Sequence, residues 1–219
     1  MTLDELLDFT ASLLDDLEFG YFTVPQLTRF LNNAQKTAQK QLLQAGQNYY
    51  LKCVQTVVDT SSCSLALPLD FLKLHRLTFM YPGQTQGSQP ENVLHQITLN
   101  QQDLMILGPS APRGYIFKKN RIILVPAPDL NYTIKMTYSY LVPDMVELTE
   151  VPDIPETYHE YLGILAAEDG LNKDGRDPSS LLAKKQFFLD LMKQDSIERG
   201  VDAPREVVST TYEGVPLLF

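Results

Sequence analysis

The sequence predicts an α+β protein: a helical bundle built from N- and C-terminal helices, with an inserted antiparallel β-meander and an extended C-terminal arm. Three observations predict it. Apolar residues recur at helical spacing near both ends of the chain, in residues 3–42 and 155–192. Between them the period drops to two, most regularly from Tyr132 to Tyr140, where Tyr132, Ile134, Met136, Tyr138 and Tyr140 alternate with Thr133, Lys135, Thr137 and Ser139. Residues 201–219 then lack any period, yet end on Val215-Pro216-Leu217-Leu218-Phe219. The corresponding division is a discontinuous helical domain (1–47 and 152–200), an inserted β domain (48–151) and an arm (201–219).

The first helix is expected over Leu3–Leu17, with Thr2 and Glu5 forming a capping box and the leucines forming one stripe. Gly20-Tyr21-Phe22 breaks it. Thr23, followed by Gln26, is expected to cap a second helix, with Pro25 tolerated in its first turn. Leu27, Phe30, Leu31, Ala34, Ala38 and Leu42 give that helix its apolar face, an amide-rich face lies opposite, and Gly46 ends it. Residues 50–58 and 62–67 read as a hairpin, Leu67-Pro68-Leu69-Asp70-Phe71 as a bend, and Leu74 to Tyr81 as a strand. Residues 82–92 read as a polar loop, and Ile97–Leu107 as ambiguous, with a short helix as one reading. Tyr115–Phe117 and Ile122–Val125 flank a turn at Lys118-Lys119-Asn120, and Pro126-Ala127-Pro128-Asp129 separates this hairpin from the Tyr132–Tyr140 strand. A helix starting near Pro155 should bury Tyr158, Tyr161, Leu162, Leu165 and Ala166. Asp177-Pro178 starts the last helix, with Leu181, Phe188, Leu191 and Met192 inward and Gly200 at its end.

The composition, 44% hydrophobic and 21% charged over 219 residues, is that of an ordinary soluble globular protein with one core, or one core and an elaborated insertion. No run approaches the roughly 18 apolar residues that would span a bilayer, and the acidic start Met1-Thr2-Leu3-Asp4-Glu5 is unlike a secretory signal. A cytoplasmic origin is the resulting expectation. If the hairpin turn centres near Thr60-Ser61, Cys53 faces Pro68 and Cys63 faces Val58, so two reduced, partly buried cysteines are expected. The net charge of −9 is uneven: residues 1–19 carry six acids and no Lys or Arg, and residues 149–177 carry eight acids against Lys173 and Arg176. Residues 49–148 hold eight bases and seven acids. This balance argues against tight nucleic-acid binding, which needs clustered bases. Solvated helix faces are one reading of the acids; a surface past which DNA slides without sticking is the other.

Chemical motifs fall short. His159-Glu160 starts like a zinc-protease helix, but Gly163 stands where the second histidine is required. Glu168 and Asp169 are adjacent and diverge, His75, His95 and His159 suggest no triad by spacing, and no glycine-rich phosphate loop is present. No catalytic residue, cofactor or metal is therefore assigned. Arg113, Lys118, Lys119 and Arg121 around Tyr115 and Phe117 fit either a nucleic-acid patch or plain edge protection. The apolar end of the chain fits either folding back on its own core or docking on another subunit or protein.

The order of these elements resembles that of the tailed-bacteriophage head-to-tail adaptor proteins. The resemblance covers most of the chain. It runs through Leu27–Gln35, Leu67-Pro68-Leu69-Asp70-Phe71, Tyr115–Asn120, Ile122–Pro128, Tyr132–Tyr138, the Pro155–Asp169 helix and Asp177-Pro178. Each is a loose pattern, and their order carries the weight. The resemblance implies a structural virion protein, not an enzyme. It implies a ring of about twelve copies beneath the portal that joins capsid to tail and extends the DNA channel. Assembly would take place in the host cytoplasm, with no membrane role and no cofactor. Its partners would be further copies of itself, the portal protein and tail or nozzle proteins, and DNA would pass without sequence-specific binding. It further implies a portal-docking arm, suited by Tyr212, Val215, Pro216, Leu217, Leu218 and Phe219. Asn32, Asn33, Gln35 and Gln39, with Lys118, Lys119 and Arg121, are the candidates for lateral or tail contacts. Another tail component (stopper or tube), a cell-wall-acting protein and a nucleic-acid-binding protein are the alternatives.

Overall fold

A computed structural model describes residues 1–45, 50–60, 62–83, 92–98 and 108–200. Gly46, most of the 82–92 loop, most of Ile97–Leu107 and the whole 201–219 arm lie outside the described residues. The chain is α+β. Its elements are α1 (Leu3–Leu14), α2 (Val24–Gln44), β1 (Leu51–Val58), β2 (Ser64–Ala66), β3 (Phe71–Met80), β4 (Asn92–Val93), β5 (His95–Gln96), β6 (Gly114–Lys118), β7 (Arg121–Val125), β8 (Tyr132–Tyr140), α3 (His159–Asp174) and α4 (Ser179–Gly200).

The N-terminal helix is built into the C-terminal half at both ends. Its start carries the expected capping box, with Thr2 accepting from the Glu5 amide and Glu5 accepting from the Thr2 amide. Two further first-turn amides, those of Leu3 and Asp4, donate to the carbonyls of Glu150 (2.8 Å) and Leu148 (3.1 Å). At the other end the Arg176 guanidinium donates to the Leu14 carbonyl at 3.0 Å, satisfying an orphan acceptor with a cation. α1 stops at Leu14, three residues short of expectation. Asp15 turns left-handed, and the Asp16 carboxylate takes the amides of Gly20, Tyr21 and Phe22, which makes a loop of residues that helical spacing alone would have continued. Those three amides, Phe22 first, hold the Asp16 carboxyl below its usual range.

α3 is the centre of the helical body and is buried nearly all round, from His159 through Leu171. A helix covered on every side has little amphipathic pattern, so only one of its faces was legible from spacing. Its glycines are contact points. A Cβ at Gly163 would stand 2.4 Å from the Phe9 ring, and one at Gly170 would stand 3.0 Å from Leu14. α1 therefore lies against a flattened strip of α3. The helix begins one turn later than expected, behind a 3-10 turn at Glu156–Tyr158. Asp177 accepts from the Ser179 amide to start α4, which buries Leu181, Phe188 and Met192; Leu191 is only partly covered. α2 starts after Thr23 without the expected side-chain cap; the Gln26 amide bonds the Thr23 carbonyl instead. Residues of both chain ends share one core, which includes Leu6, Leu31, Tyr161 and Phe188.

The β region differs from the expected meander. Two four-stranded sheets form, in the orders β1-β8-β3-β4 and β2-β7-β6-β5. The β6–β7 hairpin is present as expected, with Lys119 left-handed in its turn. β8 does not join it. After the Pro126–Asp129 break the chain crosses to the other sheet, where β8 runs antiparallel between β1 and β3. The expected 50–58/62–67 hairpin fails for the same reason: β1 pairs with β8 and β2 with β7, in different sheets. Alternation reports that a strand has one buried face but not which sheet supplies its neighbours. Here the two inner faces pack on each other through Leu65, Ile122 and Leu124 on one side and Leu77, Phe79, Ile134 and Met136 on the other. Residues 92–96 bridge the two sheets at one edge, with β5 parallel to β6. Cys53 therefore faces Thr137, and the Cys63 carbonyl accepts from Leu124; both thiols are free and exposed, not partly buried.

Candidate functional site

The two cores meet along a polar seam that uses three of the amides singled out above. Asn32, Gln35 and Gln39 stand one turn apart on α2 and read the extended segment that leaves β8. Asn32 donates to the Met145 carbonyl (3.0 Å) and accepts from its amide (2.9 Å). Gln39 does the same for the Tyr140 carbonyl (2.6 Å) and the Val142 amide (3.3 Å). Gln35 donates to the Pro143 carbonyl at 2.8 Å, and its own carbonyl oxygen is buried without a partner. Gln35 and Gln39 are fully covered and Asn32 partly, so these side chains work inside the subunit and do not supply the lateral face expected of them. Asn33 remains exposed. The sequence signal was real, since amides at helical spacing mark a hydrogen-bonding ridge, but its counterpart lies over 100 residues away along the chain.

Tyrosine hydroxyls on β8 continue the stitching by donating to loop carboxylates. Tyr132 bonds Asp129 (2.6 Å), Tyr138 bonds Asp70 (2.9 Å) and Tyr140 bonds Asp153 (2.8 Å). Burial, reinforced by the neighbouring carboxylates, pushes the Tyr138 and Tyr140 phenols up to about 12, so they remain donors throughout the physiological range. Asp70 also receives the Lys52 ammonium, which holds its carboxyl below the ordinary range. Five of the eight acids in residues 149–177 are engaged structurally. Glu150 accepts from the Val146 amide, Asp153 from Tyr140, Asp174 and Glu168 pair with Arg176 and Lys185, and Asp177 caps α4. Neither sequence reading of these acids, as solvated faces or as a DNA-repelling lining, anticipated that use.

Lys118, Lys119 and Arg121 lie together at the exposed β6–β7 tip, with Arg121 reaching Ser64 Oγ at 3.4 Å. Arg113 is exposed two residues before Tyr115. The nearest approach to a reactive pair is one that spacing did not reveal: His75 Nε2 lies 2.6 Å from Ser139 Oγ. Ser139 is fully buried, and no carboxylate orients the imidazole among the described residues, so the pair pins a β-bulge in β3. Burial, with Lys73 nearby, lowers the affinity of His75 for a proton. His159 is also buried; its Nε2 lies 2.9 Å from the Ile154 carbonyl and its Nδ1 2.9 Å from the Met1 amino group. Among the described residues no three His, Cys, Asp or Glu side chains are grouped to hold a metal ion. No described helix is long and apolar enough to cross a membrane. Tyr212, Val215, Pro216, Leu217, Leu218 and Phe219 lie outside the described residues.

The two cores are clamped by backbone-reading amides, and charged and apolar side chains are presented on outer faces. The chain belongs to the SU10 adaptor protein family, whose model matches residues 1–208. This is a family of bacteriophage adaptors, structural in kind, which makes the chain a virion component. No curated protein matches it.

Proposed function

We propose that the protein is a head-to-tail adaptor that forms a ring of about twelve copies beneath the portal. In that position it joins the capsid to the tail, and DNA passes through the extended channel during ejection. The family match over residues 1–208 carries the reading. The shared helical core of the chain ends supports treating 1–47 and 152–200 as the ring-forming domain, with 48–151 as an insertion and 201–219 as an arm. Tyr212 and the Val215–Phe219 segment suit the arm as the portal contact, because an apolar terminus needs a partner to leave water. Asn33 and the Lys118, Lys119 and Arg121 tip are exposed and suit contacts with a neighbouring copy or the tail. Assembly in the host cytoplasm before tail attachment fits this order of contacts.

Mixing the purified protein with an isolated portal ring and sedimenting the mixture tests the reading. The expected result is a portal-dependent shift that is weakened by truncation after Asp202. Absence of a shift for the full chain would sink the adaptor assignment. Binding to tail parts but never to the portal would identify a stopper or tube protein instead.

A further inference from the structure

Among the described residues the two sheets end in four edge strands, β1, β4, β2 and β5. An edge strand shows a row of unpaired backbone N–H and C=O groups, and proteins keep such strands short, bulged or interrupted by proline. Three of the four follow that rule: β2 is three residues long, and β4 and β5 two each. β1 does not. It runs for eight residues, contains no proline and pairs with β8 one for one without a bulge.

The hydrogen bond from the Tyr140 amide to the Tyr50 carbonyl, at 3.1 Å, sets which residues of β1 use the β8 side. Antiparallel bonding alternates along a strand. Lys52, Val54, Thr56 and Val58 therefore turn their backbone groups to β8, and Leu51, Cys53, Gln55 and Val57 turn theirs to the open edge. Gln55 already has a partner. The backbone groups of Leu51, Cys53 and Val57 have none on that side among the described residues. Leu51 is 42% and Val57 64% exposed, and the Cys53 thiol is free and exposed. Lys52 is the only charge on the strand, and Asp70 holds its ammonium.

A segment with the composition of a strand lies outside the described residues of the same chain: Glu206-Val207-Val208-Ser209-Thr210-Thr211. Four of its six residues are β-branched, and none is Gly or Pro. Pro204 before it and Gly214 and Pro216 after it are residues that end strands. The fold brings this segment's origin near β1. Gln41, Gln44 and Ala45 of α2 line one cavity together with Leu189, Met192 and Lys193 of α4, so the second half of α4 lies beside the last turns of α2. Two residues before Gln41, Gln39 holds the Tyr140 carbonyl, and the Tyr140 amide bonds Tyr50, the residue before β1. The chain beyond α4 thus leaves from the side of the helical body on which β1 starts, and residues 201–205 span up to about 17 Å when extended.

We infer that Glu206–Thr211 adds to the open edge of β1 in its own subunit, as a fifth strand of that sheet. The outward N–H and C=O groups of Leu51, Cys53 and Val57 gain partners, and the valines and threonines of the added strand cover Leu51 and Val57. Tyr212 and Val215–Phe219 then emerge from the end of this strand. Their use as a portal contact rests on the adaptor reading; the strand pairing does not. A tip held at its base loses less freedom on docking than one at the end of a loose arm.

The test is a disulfide scan on the full chain. In a Cys63→Ser background, one cysteine is placed at a time from Glu206→Cys to Thr211→Cys, and the oxidised protein is mapped by mass spectrometry. Alternate residues of a strand share a face, and opposed residues of paired strands lie within disulfide reach. Cys53 should therefore be captured within one chain at even-numbered or at odd-numbered positions, not at both. Amide hydrogen exchange is the second readout. The Leu51, Cys53 and Val57 amides should exchange slowly in the wild type. They should lose that protection in Val208→Pro/Thr211→Pro, which removes one N–H of each parity, while those of Lys52, Val54 and Thr56 keep theirs. No capture, equal capture at all six positions, or disulfides that join two copies (Cys53 to Cys53 included) overturn the proposal. Fast exchange of the three outward amides in the wild type does so as well. Portal sedimentation of the same chains separates the two readings. Capture at one parity without a portal shift removes the adaptor assignment and leaves the strand standing; a portal shift without capture does the reverse.

Discussion

Replacing Gln39 by Met keeps the length and shape of the side chain and removes both of its hydrogen-bonding groups. In the folded protein the Tyr140 carbonyl then loses a 2.6 Å donor and the Val142 amide a 3.3 Å acceptor. Gln39 is fully buried, so water cannot replace either partner without opening the seam. Leaving a buried donor or acceptor unmatched costs about 1–3 kcal/mol each. The thioether recovers part of that through apolar burial, and the net loss is about 2–4 kcal/mol. For a chain of this size each kcal/mol moves the melting temperature by about 2–4 °C, so a fall of roughly 5–15 °C is expected by calorimetry. Gln35→Met is the internal control. It loses one bond, to Pro143, but also removes a carbonyl oxygen that has no partner. Its net cost should be about 1 kcal/mol or less. Both sites are buried on the same helix and both substitutions are alike, so side-chain volume and helix propensity cancel in the comparison. If Gln35→Met destabilises as much as Gln39→Met, the seam does not work by matching backbone groups, and the reasoning is wrong.

Two further outcomes follow from the packing and the titrating groups. Gly163→Ala should destabilise by about 1–2 kcal/mol in chemical denaturation, because the new methyl stands 2.4 Å from the Phe9 ring, and the strain exceeds the helix-propensity gain of up to about 1 kcal/mol; a variant as stable as wild type would show that α1 does not rest on that strip. His159 is held below its ordinary pKa of 6.5 chiefly by burial, so the unfolded chain binds a proton that the folded chain resists. Stability from this group is therefore full above about pH 6.5 and falls as the pH drops below it. Melting temperatures from pH 7.5 to 5.5 should decline less steeply in His159→Gln, and an unchanged slope would contradict the assignment.

Much of this architecture was legible locally. The capping box at Thr2 and Glu5, the β6–β7 turn and the bounds of β8 are written in residues adjacent to one another, where short-range hydrogen bonds and side-chain alternation decide the outcome. The order of those elements was enough to place the chain among the phage adaptors, as the match over residues 1–208 shows. What local pattern could not supply was partnership at a distance. Tyr132–Tyr140 was evidently a strand, but its neighbours β1 and β3 were chosen by burial between two sheets. The amides of α2 announced a hydrogen-bonding ridge, and only the folded chain shows them turned inward on Tyr140–Met145. Gly163 read as a gap in a metal motif and proves to be the place where α1 fits against α3. Lys73 and Arg76, three residues apart, would alternate to opposite faces of β3, and the bulge between Leu74 and Arg76 sets them on the same face. Sequence by itself indicated the long helices, the longer strands and the family they belong to, because those depend on neighbouring residues; the two-residue strands Asn92–Val93 and His95–Gln96 were not among them. Tertiary structure decided which faces are buried, which amides are occupied and which charges remain outward, because those depend on contacts between residues far apart in the chain, from 64 positions for His75 and Ser139 to 162 for Arg176 and Leu14.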